Sequence, residues 1–139
     1  MKNRILLVCL MAIGLTAIWA FTPPQEKKKG GAWEIPQEYI DMENPYKGDA
    51  SLEKLGKQLY SKHCRACHGN IGEGDGPKAR NLEFDLGNFT DAAWQDGITD
   101  GELYYMSIIG RDEMPNYEGK IVDEEERWAL INYLRTLKQ

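Results

Sequence analysis

Cysteine and histidine are scarce in this sequence, which limits how it can be cross-linked or metallated. The 139 residues contain three cysteines and two histidines. Cys9 lies in an apolar N-terminal run, and Cys64 and Cys67 are too close together to staple a domain, so a disulfide framework is excluded. A structural zinc site needs four Cys or His ligands, and beyond the Cys64–His68 segment only Cys9 and His63 remain.

An excess of positive charge is also absent. Lys and Arg number 17 against 22 Asp and Glu, which gives a formal net charge of −5. A general nucleic-acid binder needs a basic face to neutralise phosphates, so we expect no nucleic-acid partner. The charge is unevenly spread, because residues 47–80 carry seven cations and four acids, whereas residues 81–126 carry thirteen acids and two cations. A basic stretch is therefore followed by an acidic one.

No alternating strand pattern and no hairpin signal occur in the sequence, and the periodic signals are helical. A first helix is expected from Ser51, its candidate N-cap, into Cys64, on an apolar stripe formed by Leu52, Leu55, Leu59 and Tyr60. Further helices are expected over 90–97, from a capping box at 99–102 to Gly110, and from a capping box at 123–126 onward. The sequence therefore predicts an all-α domain of four to five short helices, with long loops over 69–89 and 111–122.

Three segments of different character divide the chain. Residues 1–21 join two cations to an apolar run, the layout of a secretory leader, which is either cleaved as a signal peptide or kept as a membrane anchor. Residues 22–50 are a linker rich in proline and glycine, and residues 51–139 form the domain. The apolar part of the linker favours packing on its own domain over docking to a partner. We therefore expect an exported protein, in the periplasm or at the periplasmic face of the inner membrane.

The strongest chemical signal is Cys64-Arg65-Ala66-Cys67-His68. C-x-x-C-H is the attachment signature of c-type haem. Cysteines three residues apart lie on one side of a helical turn and can form thioethers with one haem edge, and His68 then directs its imidazole at the iron. A thioredoxin-like redox pair would need a βαβ context that the sequence lacks. We therefore expect one covalent haem c, anchored by Cys64 and Cys67 and ligated by His68.

From Ser51 to Leu137 the sequence resembles the class I mono-haem cytochromes c, specifically their small bacterial periplasmic type. The resemblance rests on the haem motif and on weaker elements in the family's order: Gly56, Tyr60, the glycine-rich run 72–77, Asn88-Phe89-Thr90, Gly110, Met114-Pro115, and Trp128, Tyr133 and Leu134 in the last helix. It implies the class I cytochrome c fold, with the first and last helices crossing at Gly56 beside Tyr60 and Tyr133.

The expected sixth iron ligand is Met114. It lies in a loop before Pro115 and matches the family's Met-Pro ligand, whereas Met106 is interpreted as core filler on a helix and Met42 lies in the linker. In the family, a carbonyl at a loop proline accepts the second N–H of the histidine ligand, which implies Pro77 here. The candidate donors to the haem propionates are Arg80, Trp94, Tyr104 and Tyr117.

These expectations point to one-electron transfer rather than enzyme catalysis, because two axial ligands leave no iron site for substrate. We expect redox proteins as partners. The protein would meet them either as a diffusible carrier or as a subunit of a membrane respiratory complex. The segment Ile35–Pro45 resembles the strap before the haem domain in the mono-haem subunit of alternative complex III, a quinol-oxidising complex. The alternative function is a haem enzyme or ligand sensor with an open sixth coordination position.

Overall fold

The computed structural model describes residues 31–139. Within that range it contains six α-helices and no β-strand, and one isolated bridge joins Arg111 and Met114. The all-α prediction is confirmed. Five of these helices lie within residues 51–139, in agreement with the four to five expected for the domain, and the sixth is a single helical turn in the linker. The expectations for the leader, Cys9 and the first part of the linker concern residues 1–30, which lie outside the described residues.

The helices are short, and only two of them exceed two turns. In chain order they are α1 (Gln37–Ile40), α2 (Glu53–His63), α3 (Arg65–His68), α4 (Ala92–Asp96), α5 (Asp100–Tyr104) and α6 (Glu124–Thr136). Two 3-10 turns, Ala50–Leu52 and Ala79–Asn81, precede α2 and follow α3, and a π-helical turn, Tyr105–Ile109, extends α5. The helix expected up to Gly110 is therefore α5 together with this π-helical turn.

The first and last long helices, α2 and α6, cross at Gly56, as expected. A Cβ atom at this position would overlap the carbonyl oxygen of Ala129 and lie 2.7 Å from the Cβ of Tyr133, so only glycine permits this approach. The rings of Tyr60 and Tyr133 pack beside the crossing with centroids 5.4 Å apart. The core extends from there through buried side chains of α6 and of the segments between the two helices, among them Leu103, Ile108, Ile121, Trp128, Ile131 and Leu134.

The N-cap in the structure agrees with the sequence at the start of α5 and differs from it at the first helical segment. Asp49, not Ser51, caps the first helical segment, because its carboxylate accepts a hydrogen bond from the Ser51 backbone N–H at 2.9 Å. The capping box at Thr99 and Glu102 is confirmed, with its two reciprocal hydrogen bonds at 2.7 and 3.1 Å. The prediction of Ser51 as the N-cap was wrong because Asp and Ser are both good N-caps and the two residues stand only two positions apart.

The strap (residues 31–50) packs on its own domain, which confirms the favoured expectation for the linker. The ring of Tyr39 lies 4.8 Å from that of Tyr105, centroid to centroid. The amide of Asn44 donates to the carboxylate of Asp100 at 3.1 Å. The strap is therefore fastened along α5 and the π-helical turn.

Arg135 of α6 fastens the C-terminal helix to the two short helices before it. Its guanidinium donates to the Asp100 carboxylate at 2.8 Å and to the carbonyls of Gln95 and Ile98 at 2.5 and 2.8 Å. These bonds fix α4, α5 and α6 relative to one another. Between residues 31 and 139, no helix is both long and apolar enough to cross a membrane.

Candidate functional site

The haem motif forms one helical turn that presents three functional side chains from a short segment. α3 follows α2 with Cys64 as the linking residue. The N–H groups of Cys67 and His68 donate to the Cys64 carbonyl at 3.1 and 3.0 Å. α3 ends at Gly69 with a φ of +85°, a conformation that favours glycine. The Tyr60 hydroxyl donates to the Gly69 carbonyl at 2.8 Å, which ties the end of the turn to α2.

Both motif cysteines are free thiols in this structure. Cys64 is buried in the core and Cys67 is half-buried. Burial, together with the nearby Cys67, raises the pKa of the Cys64 thiol to about 12. A reactive redox pair depends on a lowered thiol pKa. The buried Cys64 thiol is therefore protonated at physiological pH and is not a reactive thiolate.

The imidazole of His68 is buried without a hydrogen-bond partner. Only 7% of the residue is exposed, and neither Nδ1 nor Nε2 has a partner. Burial lowers the pKa of His68 to about 4, so the ring is neutral at physiological pH and keeps the lone pair that a metal requires. Buried polar atoms are nearly always satisfied in native proteins, so an unpartnered imidazole here implies a further group.

The hydrogen bond expected between His68 and the Pro77 carbonyl is not formed in this structure, because Nδ1 of His68 has no partner. Pro77 is nevertheless held against the motif. Its two neighbours in the chain donate through their N–H groups to the carbonyls of Cys67 and Ala66, at 3.0 and 2.9 Å. The loop therefore stays close to the motif without the expected side-chain bond.

His68 and Met114 line the same cleft in the domain. The space within it is about 1010 Å³, part of which is open to solvent. The ring of Phe89 stacks on His68 with centroids 4.7 Å apart, and the ring of Trp94 lies 5.8 Å from that of Phe89. The other walls come from the strap, α5 and the segments after it, and include Trp33, Leu103, Met106, Ser107 and Arg111. The two expected iron ligands thus share one largely apolar cavity.

Met114 lies in a tight turn that follows the π-helical turn. Gly110 has a φ of +73°, and a Cβ atom there would overlap the Met114 carbonyl. The Met114 N–H donates to the Arg111 carbonyl at 2.8 Å and closes the turn. Beyond it, the Tyr117 N–H donates to the Ile108 carbonyl at 2.7 Å. The backbone around Met114 is therefore fixed on both sides.

A second methionine lines the same cleft. Met106, interpreted from the sequence as core filler, lies on the π-helical turn and forms part of the cleft wall. Met42 instead packs on α5, where a Cβ atom at Gly101 would lie 2.9 Å from the Cβ of Met42. Met106 is therefore the natural control for any test of Met114.

The expected propionate donors do not converge on one place. Trp94 lines the cleft, whereas Arg80 is exposed on the second 3-10 turn and does not line it. The hydroxyl of Tyr117 donates to the His63 carbonyl at 3.0 Å, and its ring packs on the half-buried His63. The hydroxyl of Tyr104 accepts a hydrogen bond from Arg127 at 3.1 Å. Neither tyrosine lines the cleft.

Trp33 and Arg111 both line the cleft, and neither is among the site residues expected from the sequence. The guanidinium carbon of Arg111 lies 4.0 Å from the centroid of the Trp33 ring. Arg111 had a visible signal, because it is one of two cations between residues 81 and 126 and stands three positions before Met114. No local pattern connects Trp33 to it, because the contact joins distant parts of the chain.

These residues fit a covalently attached haem. One turn supplies two thiols and a neutral, unpartnered imidazole, and the cleft adds aromatic and aliphatic walls and methionine sulfur. Such a cavity is hydrophobic with few polar groups, as cofactor sites are.

The family model described as "Cytochrome C oxidase, cbb3-type, subunit III" matches residues 52–134, which is more than half of the chain. The chain belongs to this family of class I cytochromes c. A solved structure named KustC0563 c-type cytochrome is similar to this cytochrome, with a TM-score of 0.53 and 30% sequence identity, covering 60% of this chain and 98% of that chain. No curated protein matches this cytochrome.

The expected class I cytochrome c fold is thus confirmed, and the cytochrome carries one covalently bound haem c. A single C-x-x-C-H motif in the chain agrees with one haem. Its general function is haem-based electron transfer.

Proposed function

We propose that this cytochrome transfers one electron at a time through a haem c that Cys64 and Cys67 anchor and that His68 and Met114 ligate. The observation that carries the proposal is the cleft that His68 and Met114 both line, in which neither ring nitrogen of His68 has a partner. The resemblance of Met114-Pro115 to the family's ligand supports the choice of Met114.

When bound, the haem supplies a one-electron couple between ferric and ferrous iron. The chain's residues set the conditions for that couple. His68 offers a neutral nitrogen, and Met114 offers a thioether sulfur, which raises the potential because it is a poor donor to ferric iron. The apolar side chains of Phe89 and Leu103 in the cleft wall shield part of the haem from water, so fewer solvent molecules have to reorient when the charge changes.

The sixth ligand is tested by replacing each cleft methionine in turn. Met114→Ala should abolish the far-red iron–sulfur charge-transfer band of the oxidised holoprotein. It should also lower the reduction potential by a sizeable part of the roughly 0.8 V over which axial ligands act. Met106→Ala should keep the band and shift the potential far less. A band that survives Met114→Ala and disappears in Met106→Ala would assign the ligand to Met106 instead.

We also propose that acidic redox partners dock on a basic face of α2 next to the motif. This basic face consists of Lys54, Lys57 and Lys62 and continues to Arg65 within α3. All four side chains are exposed. Within residues 31–139, no ion pair neutralises any of them. Uncompensated cations beside the attachment site can steer a partner of opposite charge to the haem edge.

We propose that the protein works outside the cytoplasm, in the periplasm or at the periplasmic face of the inner membrane. The leader pattern of residues 1–21 supports export, either as a cleaved signal or as an anchor. The resemblance of Ile35–Pro45 to the strap in alternative complex III is the ground for a subunit role, and a diffusible carrier is the other form. Detergent extraction followed by size exclusion separates them, because a small free haem protein contradicts the subunit.

A further inference from the structure

Arg111 joins the strap to the turn that carries Met114. Its two terminal nitrogens donate to the carbonyls of Ala32 and Gly31 at 2.8 and 2.5 Å. The plane of the guanidinium also lies against the indole of Trp33, 4.0 Å from the ring centroid to the guanidinium carbon. One side chain therefore holds three consecutive residues of the strap.

The strap end is held on its other side as well. The ring of Trp33 meets that of Tyr105 edge to face, with centroids 6.4 Å apart and an angle of 86° between the planes. Tyr105 belongs to the π-helical turn, and it also contacts Tyr39 of the strap at 4.8 Å. Trp33 is therefore fixed between Arg111 and Tyr105, at the point where it lines the cleft.

The backbone of Arg111 connects this contact to Met114. The Arg111 carbonyl accepts the hydrogen bond that closes the Met114 turn. The opposite flank of the turn is held by Glu113, whose carboxylate accepts from the N–H groups of Glu83 and Phe84 at 3.0 and 3.3 Å. The turn is thus anchored to two segments that both line the cleft.

Arginine is suited to this arrangement in a way that lysine is not. A planar guanidinium can donate to two carbonyls and stack on an indole at once, whereas an ammonium is a compact point charge. Charge-assisted hydrogen bonds and cation–π contacts are also stronger than their neutral equivalents. The contacts therefore depend on the shape of the Arg111 side chain as well as on its charge.

We propose that Trp33 and Arg111 form a clamp through which the strap positions Met114 on the haem iron and keeps external ligands from the sixth coordination site. The inference rests on the proposed role of Met114 and adds the strap to the site. Both are positioning residues, because they act through the Met114 turn and not on the iron itself.

Imidazole is a suitable probe, because it competes with methionine for the oxidised iron. The apparent affinity of the full-length holoprotein for imidazole should rise about tenfold in both Trp33→Ala and Arg111→Lys, which corresponds to about 1.4 kcal/mol. The far-red band should weaken in the same two variants. Asn44→Ala loosens the strap at its other end, away from the cleft, and should leave imidazole affinity within about twofold of wild type.

The imidazole affinities of the variants separate the clamp from its alternatives. Imidazole affinities within twofold of wild type in both clamp variants would overturn the proposal. A wild-type imidazole affinity in Arg111→Lys together with a raised affinity in Arg111→Gln would also overturn it, because the charge of the side chain alone would then explain the effect. If Met114→Ala itself does not raise imidazole affinity, the ligand assignment fails rather than the clamp. If one clamp variant does not assemble with haem, the other still provides the test.

Discussion

Gly56 is the position at which a single methyl group should disturb the packing of the two long helices. A Cβ atom there would overlap the Ala129 carbonyl and crowd Tyr133. We expect Gly56→Ala to lower the free energy of unfolding by about 2 kcal/mol, because the overpacking cost exceeds the gain in helix propensity. Denaturant unfolding of the holoprotein, followed by circular dichroism, measures the change.

Gly119→Ala is the matched control for that substitution. No heavy atom lies within 4 Å of a Cβ atom built at Gly119, so the change should stay within about 0.5 kcal/mol. If Gly56→Ala and wild type are equally stable, the close approach of α2 and α6 at this position does not require glycine.

At the scale of single residues, the sequence is most informative where chemistry is local. Cys64, Cys67 and His68 stand within five consecutive positions, so their spacing alone predicts a haem attachment motif. Arg111 and Trp33 are far apart in the chain and meet only after folding. No spacing rule connects them, which is why the sequence identified neither.

The strap is the element whose contribution to stability is easiest to isolate. Asn44 donates to Asp100 at 3.1 Å and to the side-chain oxygen of Asn132 at 2.8 Å, and its own oxygen accepts from the Tyr46 N–H at 2.9 Å. Asn44→Ala removes these bonds and leaves partly buried polar groups unpaired. We expect a loss of about 2 kcal/mol in the free energy of unfolding, measured by thermal or denaturant unfolding.

The absorption spectrum of the haem should not change in Asn44→Ala, because Asn44 does not line the cleft. The neighbouring Glu43→Ala alters an exposed side chain and should leave stability within about 0.5 kcal/mol. A loss of stability as large in Glu43→Ala would show that the strap is sensitive to any substitution rather than to these hydrogen bonds.

Elements were predicted well where they were long enough to show a period. The apolar stripe correctly predicted α2, and the capping box correctly predicted α5. The acidic residues 123–126 correctly predicted the start of α6. α1 and α3 each have four residues, which is too short for a helical repeat. The π-helical turn could not be distinguished from a continued α-helix, because the spacing of its apolar residues suits both. Met106 lies on this turn and lines the cleft.

The distribution of charge is a property of the whole molecule that the sequence did reveal. The basic face lies next to the haem motif, while four consecutive acids, 123–126, stand at the start of α6. The cleft itself could not be predicted from charge or period, because His68 and Met114 come together only through the packing of the chain between them. The family resemblance, not periodicity, paired those two residues.

If the basic face steers partners, reversing its charge should slow reactions with anions. We expect Lys57→Glu with Lys62→Glu to lower the rate of oxidation by hexacyanoferrate(III) by about tenfold at low ionic strength. The difference should largely disappear near 0.5 M salt, where the screening length is only a few ångströms. Stopped-flow mixing of the reduced holoprotein gives the rates.

Lys138→Glu is the control, because Lys138 forms an exposed ion pair with Asp96 near the C-terminus, a kind of pair that contributes little to stability. It should change the rate by less than about twofold. Lys138→Glu changes the net charge half as much as the double substitution, so a slowing of about threefold in this control would mean that only net charge matters and that no docking face exists on α2.

Carbon monoxide binding to the reduced wild-type holoprotein tests most directly whether this cytochrome is a closed electron carrier. With His68 and Met114 on the iron, we expect no carbon monoxide adduct at neutral pH, and therefore an unchanged visible spectrum of the reduced protein. Rapid formation of an adduct would contradict that account and would instead indicate an open sixth position, as in a haem enzyme or ligand sensor.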